Sequence, residues 1–460
     1  MPASYLLPDQ PCRTVGEYRA AGQGDAVAAA KRLGARALVD SLEASGLRGR
    51  DHAATSVGSK WAAIVATPAE PGDRYLVANG TDAEPGSFTD RALLRANPLG
   101  VIEGVAVAAL ALGATDAFIA IRRSFHQEYE LLTTALAEAE VAGWLDHVSI
   151  KCVRTAEEYL VGDDRALLEC IEGRLPLPVR RGADLDGLFS ESTADAHGAT
   201  EPKHPTTVET LETLVNVAAI AVNGHRWFRS MGTPVSPGNI LCTITGDVER
   251  HGVVEAELGR RLFDVIEEGG GGFLPSSPPK AVLSGVSSPV LTRSRLAAPL
   301  CWEGLSAVGA DLGRAAFTVY GEPTDMFAVA HRIAAFLYVE SCGMCPACKF
   351  GGGEVTAYLA RIVAGSGTRR DVEALGGRLA TVDTDARCSL ASRLREVVSS
   401  IMWAFPGDAT RTGSVAADGE PGVLEPLVDI VDGRAVYGTM QARKRADWVV
   451  EDRPVRLTRW

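Results

Sequence analysis

Hydrophobic positions recur at helical spacing over residues 24–44, where Val27, Ala30, Leu33, Ala37, Leu38 and Leu42 predict an amphipathic helix. Ala62–Ala66 and Tyr75–Ala78 are short apolar runs that end in turn residues, and both read as buried strands. A helix is expected over Pro98–Leu112, closed by Gly113, then a strand at Ala117–Ile121. A helix at Glu128–Ala142 and a strand at Val148–Val153 follow. Strands alternating with helices predict a parallel sheet with helices packed on it, an α/β domain over about residues 15–228. Within it, Gly182–Pro205 is rich in Asp, Gly, Ser and His and reads as a long surface loop.

From Gly238 the period changes. Ile240–Ile244, Gly252–Glu255 and Lys280–Leu283 read as short strands, with a helix at Leu258–Glu268 and the run Gly269–Gly272 between them. That is a small α+β domain over 236–325. Met326–Tyr338, Glu354–Ala364 and Leu390–Phe405 have helical spacing and form a helical domain over 326–406. Residues 407–460 lack periodicity and are rich in Gly, Asp and Arg, which predicts a C-terminal tail of limited structure, a docking arm.

Composition narrows the function classes. A chain of 460 residues holds two to four domains. Its 46 basic and 58 acidic residues give a net charge of −12, which argues against a general nucleic-acid binder. Nine cysteines are too sparse for a disulfide-stapled scaffold and point to a reduced, intracellular setting. The polar start, with Pro2, Pro8 and Pro11, lacks the apolar core of a secretory signal. The longest apolar runs, Val101–Gly113 and Leu214–Val222, fall short of the roughly 20 residues that span a bilayer. A cytoplasmic location is expected, with any association with the inner face of a membrane made through partners.

The strongest chemical signal is Cys342, Cys345 and Cys348, spaced C-x2-C-x2-C, which gathers three sulfurs around one centre. A bacterial ferredoxin would carry its fourth Cys at the position of Gly352. The only later thiol is Cys388, which could close the site as a fourth ligand. Gly343 and Gly351–Gly353 would let backbone N–H groups approach the sulfides. Zinc or inert buried thiols are the alternatives, but zinc usually takes paired C-x2-C units or Cys with His. Cys12, Cys152, Cys170, Cys242 and Cys301 are scattered singly and read as buried apolar residues.

This pattern resembles the NADH-binding flavoprotein subunit of respiratory complex I and its counterparts in NAD-linked hydrogenases and formate dehydrogenases. The likeness extends to Gly46–Arg50 with Gly58–Trp61, Asn79–Gly86 with Asp90-Arg91, Tyr159–Asp164, Pro205–Leu214, and Trp227–Pro234 leading into Gly246–Gly252. It covers about residues 40–405. The resemblance implies a Rossmann-like N-terminal domain, a small β-grasp domain of the soluble-ligand-binding type and a helical iron–sulfur domain. It also implies a [4Fe–4S] cluster on Cys342, Cys345, Cys348 and Cys388. For FMN and NADH it implies contacts from Gly49, Lys60, Asn79, Glu84, Tyr159, Gly162, Asp163 and Asp164. Arg181 stands near the place of a nucleotide-contacting Lys.

The flavin half departs from the family pattern. The family loop reads G-R-G-G-A-G-F-P-T-G-x-K-W, and here it is Gly49-Arg-Asp-His-Ala-Ala-Thr-Ser-Val-Gly-Ser-Lys-Trp61. Asp51, His52 and Ala54 replace glycines that admit a cofactor without a Cβ in the way. Thr55 and Ala63 replace stacking Phe residues. Glu209-Thr210 replaces Asn-Asn, so an amide donor becomes an acceptor-only carboxylate. Thr81-Asp82 replaces Asp-Glu, and Asp163-Asp164 replaces Glu-Glu. Gly49, Gly58 and Gly162 also fit simple turns, and Lys60 a partner such as Glu84.

An intact cluster motif beside an altered flavin motif predicts an electron-transfer subunit that carries a [4Fe–4S] cluster. It would relay electrons between a ferredoxin-like iron–sulfur partner and a larger oxidoreductase complex. An active NAD(P)H:acceptor oxidoreductase with FMN is the alternative, and a redox-inactive scaffold with a structural cluster is a third. No second cluster can be built from the remaining cysteines, so a redox partner is required.

Overall fold

The structure, a computed structural model, describes residues 4–8, 10–70, 72–178, 187–189, 204–410 and 423–446. Four parallel strands form the first sheet in the order β3-β2-β1-β4. They are β1 (Tyr75–Asn79), β2 (Asp116–Arg122), β3 (Ser149–Thr155) and β4 (Thr206–Thr210). Tyr75 pairs with Asp116 on one side and Thr206 on the other. A central strand covered on both faces needs an unbroken apolar run, which Tyr75–Ala78 supplies. Leu76 and Ala78 pack with one core, and Tyr75 and Val77 with the opposite one.

The Pro98–Leu112 helix is buried almost throughout, capped by Asn97 and stopped at Gly113 with φ 68°. Gly104 is required there, because a Cβ would lie 2.3 Å from the Leu214 carbonyl of the crossing Leu211–Phe228 helix. Among the described residues, no single helix is long and apolar enough to cross a membrane.

A second, mixed sheet runs β6-β5-β9-β7-β8. Its strands are β5 (Asn239–Gly246), β6 (Gly252–Glu257), β7 (Pro279–Ser284), β8 (Leu291–Thr292) and β9 (Ala316–Gly321), and the Leu262–Gly269 helix packs on it. Helices Met326–Glu340, Pro346–Val363, Arg369–Leu379 and Leu390–Ala404 share a further core, which Tyr159, Leu160 and Ala281 join. The first two sheets are bound through buried polar groups. Glu212 accepts from the Leu241 N–H at 3.0 Å, and Arg50 donates to the Asn239 carbonyl at 2.9 Å while lying over the Trp302 ring.

Several expectations are corrected. Ala62–Ala66 is the end of a helix, Val57–Ala66, rather than a strand. Ser56 caps it by accepting from Ser59 N–H, and Val57, Trp61 and Ile64 form its buried stripe. The 24–44 helix is two, Ala26–Leu33 and Ala35–Ser45, broken at Gly34 with φ 79°. The helix expected from Glu354 begins at Pro346, and Arg369–Leu379 is a further helix between it and the last one. Most of Gly182–Pro205, with Arg181, lies outside the described residues.

The C-terminal stretch is also more structured than its sequence implies. Strands β10 (Leu427–Val431) and β11 (Arg434–Tyr437) form an antiparallel hairpin. Arg91 donates to the Val428 carbonyl, and Arg95 pairs with Asp429 at 2.7 Å. The Ala435 N–H donates to His251 Nδ1. Gln441 and Lys444 both donate to Glu340 Oε1 at 2.7 Å. The backbone, not a side-chain period, makes many of these bonds, so hydrophobic patterning carries no trace of them.

Glu340 is 1% exposed, and its other oxygen accepts the Tyr159 N–H at 2.8 Å. Glu340→Ala leaves that buried N–H unpaired, at a cost of roughly 1–3 kcal/mol. The expected result is a lower thermal midpoint with faster proteolysis within 423–446. A variant as resistant as wild type would show that the tail is held elsewhere.

Candidate functional site

A cleft opens past the C-terminal ends of β1 and β4, where open parallel sheets bind ligands. Asn79, Glu84, Tyr159, Gly162, Asp163 and Asp164 line it, and Gly49 and Lys60 stand just behind. A Cβ on Gly49 would lie 3.1 Å from the Asp51 carboxylate, so Asp51 fills the space the glycine leaves. Gly162 serves packing, since a Cβ would meet that of Ala83 at 2.7 Å. Thr55 and Ala63 are exposed and do not line the cleft.

The lining carries seven carboxylates, Asp51, Asp82, Glu84, Asp90, Asp163, Asp164 and Glu209, against two guanidiniums, Arg314 and Arg393. Most are answered from within. Asp82 accepts from the Arg91 backbone and side chain and from Ser87; burial opposes its charge, but Arg91 and Arg314 hold its carboxyl below the usual range. Asp90 binds Arg314 at 2.9 Å through one oxygen, and burial, with Asp82 close by, lifts its carboxyl to about 6. The other Asp90 oxygen is buried without a hydrogen-bond partner.

Lys60 does not pair with Glu84. Its Nζ donates to the Val208 carbonyl at 2.7 Å and lies 3.3 Å from Glu209. Burial works against the ammonium, but Glu209, then Asp164 and Asp51, outweigh it and hold Lys60 above its ordinary value. Glu209 also accepts the Trp61 indole N–H at 2.8 Å. Glu84 reaches the second sheet, accepting the Val286 N–H at 2.5 Å with His52 at 3.4 Å. Burial, with Arg393 near, lowers the His52 pKa, so the neutral ring donates to an ionised Glu84. Tyr159 accepts from Arg393 at 2.8 Å, and burial raises its phenol. Arg314 and Arg393 carried no sequence signal, since each sits far along the chain from the loops it serves.

A second cleft of about 310 Å³ is lined by Cys342, Cys345, Cys348 and Cys388. The four thiols thus come together from two segments. Cys345 is the N-cap of the Pro346–Val363 helix, and Cys388 lies just before Ser389, the N-cap of the Leu390–Ala404 helix, and receives the Leu390 N–H. Two helix N-termini therefore face the sulfurs, a favourable field for thiolates. The Arg387 N–H donates to Cys345 Sγ at 3.3 Å. Lys349 ties the loop, donating to the Ser341 carbonyl at 2.7 Å. Burial lifts the free thiols, Cys348 to about 12 and Cys388 to about 11. Among the described residues no group of three or more His, Cys, Asp or Glu is placed to hold a metal ion as the chain stands. Gly351 and Gly353 do not face the thiols as expected. They lie inside the helix, against Val382 and the Tyr338 ring.

The two clefts share a wall, because Leu160, Cys388 and Leu390 line both. A nucleotide-type parallel sheet set against a thiol-lined helical bundle defines an iron–sulfur flavoprotein architecture. Residues 42–219 match the Nuo51 FMN-binding domain, and residues 328–412 the NADH-ubiquinone oxidoreductase-F iron-sulfur binding region. The second F subunit of the NADH-quinone oxidoreductase of Rhizobium meliloti is 34% identical over 74% of this chain and 79% of its own. The corresponding F subunit of Mycobacterium tuberculosis is 33% identical over 74% of this chain and 76% of its own. The chain belongs to the family of NADH-quinone oxidoreductase F subunits, and both cofactors of that family have their domain in it. Among solved structures, an NAD+-reducing [NiFe]-hydrogenase in the H2-reduced state superposes with TM-score 0.71 at 29% identity. That likeness covers 88% of this chain and 66% of the hydrogenase chain.

The cleft fits only part of FMN. Its acceptors suit ribityl hydroxyls and a ring N–H. The phosphate finds no free counter-charge, because Lys60 is engaged by Glu209, Arg314 by Asp90 and Arg393 by the Tyr159 hydroxyl.

Burial, with Asp51, Asp163 and Glu209 near and Lys60 opposing, lifts the Asp164 carboxyl from 3.8 to about 7. Between those values it is protonated in the folded chain and ionised in the unfolded chain. Folding then takes up a proton, and stability falls as pH rises through the window. Asp164→Asn should flatten the thermal midpoint between about pH 5.5 and about pH 7.5 relative to wild type. Parallel pH profiles for the two proteins would count against this assignment.

Proposed function

We propose that this chain is the cluster-bearing electron-transfer subunit of a larger NADH dehydrogenase-type oxidoreductase, with Cys342, Cys345, Cys348 and Cys388 holding a [4Fe–4S] cluster. A ferredoxin-like iron–sulfur partner supplies the electrons, and the larger complex takes them. The observation that carries the reading is the meeting of four thiols at two helix N-termini, beside a flavin cleft filled by the chain's own carboxylates. The cluster supplies a one-electron carrier when bound. The protein's part is to shield it with Leu160 and Leu390 and to fix its loop through Lys349. The other five cysteines are free and lie apart from this cleft, so a second cluster must come from a partner.

Cluster-loaded protein should contain about four iron and four sulfide per chain. Cys388→Ser should bleach it or leave a three-iron form, whereas Cys170→Ser should change nothing. Stoichiometric zinc without acid-labile sulfide would overturn the ligand assignment.

A second reading keeps the whole route from NADH through FMN, and the shared wall between the clefts favours it. Hydride transfer needs the nicotinamide held against a flavin in near-attack geometry. With Thr55 and Ala63 exposed outside the cleft, this chain lacks the stacking that would hold it. The isolated, FMN-supplemented protein is expected to be a poor NADH:ferricyanide reductase. Turnover of about 10 per second, typical of enzymes, would establish the second reading instead.

A further inference from the structure

We infer that Glu209 is the specificity residue that closes the cleft to phosphorylated ligands, so that the site takes an uncharged, hydroxyl-bearing ring ligand of the riboflavin type in preference to its phosphate ester. This rests on the reading of the cleft as a flavin pocket that has lost its anion seat.

Glu209 stands near the C-terminal end of β4, level with Ala78 of β1, where a bound anion would meet the sheet. It is 2% exposed, and one of its oxygens accepts from Trp61 Nε1 at 2.8 Å and Thr207 Oγ1 at 3.1 Å, with Lys60 Nζ at 3.3 Å. The carboxylate therefore occupies the place of an anion. It engages the lysine beside the cleft, whose Nζ is further committed to the Val208 carbonyl at 2.7 Å.

The other natural anion seat is also taken. The Leu211–Phe228 helix starts at the next strand end, and free N–H groups at such an N-terminus would hold a phosphate. Thr210 caps it instead, accepting from Thr213 N–H, and the Thr213 hydroxyl accepts from Arg50 N–H at 2.9 Å.

What the cleft still offers is acceptors. Asp51, Asp163 and Asp164 line it and are only half-buried. A ligand hydroxyl or ring N–H would donate to these carboxylates; a phosphate would be repelled.

The test compares riboflavin and FMN by equilibrium dialysis against full-length, cluster-loaded protein. Wild type should hold riboflavin at least about tenfold more tightly than FMN. Glu209→Gln keeps an acceptor for Trp61 but removes the charge and frees Lys60. It should raise FMN affinity by about tenfold and leave riboflavin within about twofold. Adding Lys60→Met to Glu209→Gln should cancel that gain. If Glu209→Gln does not fold, Glu209→Asn removes the same charge, and salt gives a variant-free measure. A barrier of charge narrows as ionic strength rises from about 0.05 to about 0.5 M.

An unchanged preference in Glu209→Gln, with wild type still rejecting FMN, overturns the role of Glu209 and spares the proposed function. Wild type holding FMN as tightly as riboflavin overturns both. Binding of neither flavin overturns the cleft as a ligand site, and leaves the electron-carrying role of the thiols standing.

Discussion

Buried carboxylates set the terms for this molecule. Seven line one cleft, and a buried charge must be paired, hydrogen-bonded or protonated. Asp163 and Asp82 are answered locally, by Arg165 and Arg91, but other buried carboxylates join distant segments. Asp90 draws Arg314 from the turn before β9, and Glu84 draws the Val286 N–H after β7. His52 comes from the altered loop to meet Glu84 and stands by Ser287. Glu212 holds the Leu241 N–H of β5. The contacts that neutralise the cleft are thus the contacts that dock the second sheet on the first. A change that removes one carboxylate strands a guanidinium or an N–H at the junction, so the cleft cannot drift far in composition without loosening the fold.

The same logic explains what the sequence discloses. Strands β1 and β2 announce themselves, because a strand buried on both faces must be apolar throughout. Cys342, Cys345 and Cys348 announce their chemistry because three thiols at fixed spacing have few other uses. Ala62–Ala66 misleads because five apolar residues fit a strand or a helix end, and the decisive residue, Ser56, lies before the run. Gly351–Gly353 suggest a loop, yet they are helical and small so that Tyr338 and Val382 can close in. The tail hairpin is invisible because it is held largely by backbone groups and by Glu340, more than 80 residues earlier in the chain. The Lys60–Glu209 pair escapes for a similar reason. A lysine and a glutamate 149 positions apart carry no local signal until β4 is placed beside β1.

Cleft and thiols are mechanically one site. Tyr159 is the hinge of the connection, with its hydroxyl on Arg393, its N–H on Glu340 and its ring against Phe336. Arg393 belongs to the helix that Cys388 introduces, and Glu340 ends the helix that leads into Cys342. Both thiol-bearing segments are therefore registered against one tyrosine of the nucleotide-type domain. The tail reinforces the arrangement by placing Gln441 and Lys444 on the same glutamate. A partner that moved the tail would act on Glu340 first, and through it on the loop that presents the thiols.

The backbone of the cleft holds two non-glycine residues in conformations that favour glycine. Ala54 sits at φ 48° and Asp82 at φ 40°, in the left-handed region that favours glycine. A residue with a Cβ pays roughly 1–2 kcal/mol there. At Asp82 the strain has an evident return, because the conformation lets one carboxylate collect Ser87, Arg91 and two backbone N–H groups. At Ala54 the return is smaller: its N–H meets Asp51 Oδ1 at 2.8 Å, which folds that carboxylate back onto the loop. The loop remains closed by Gly49 N–H to the Thr55 carbonyl and Val57 N–H to the Leu47 carbonyl. Because those bonds hold the chain path whatever the side chains are, a loop of this kind can lose the glycines that admit a cofactor and still dock correctly on Arg50 and the second sheet. That independence lets the side chains of the loop vary without disturbing the thiol cleft behind it.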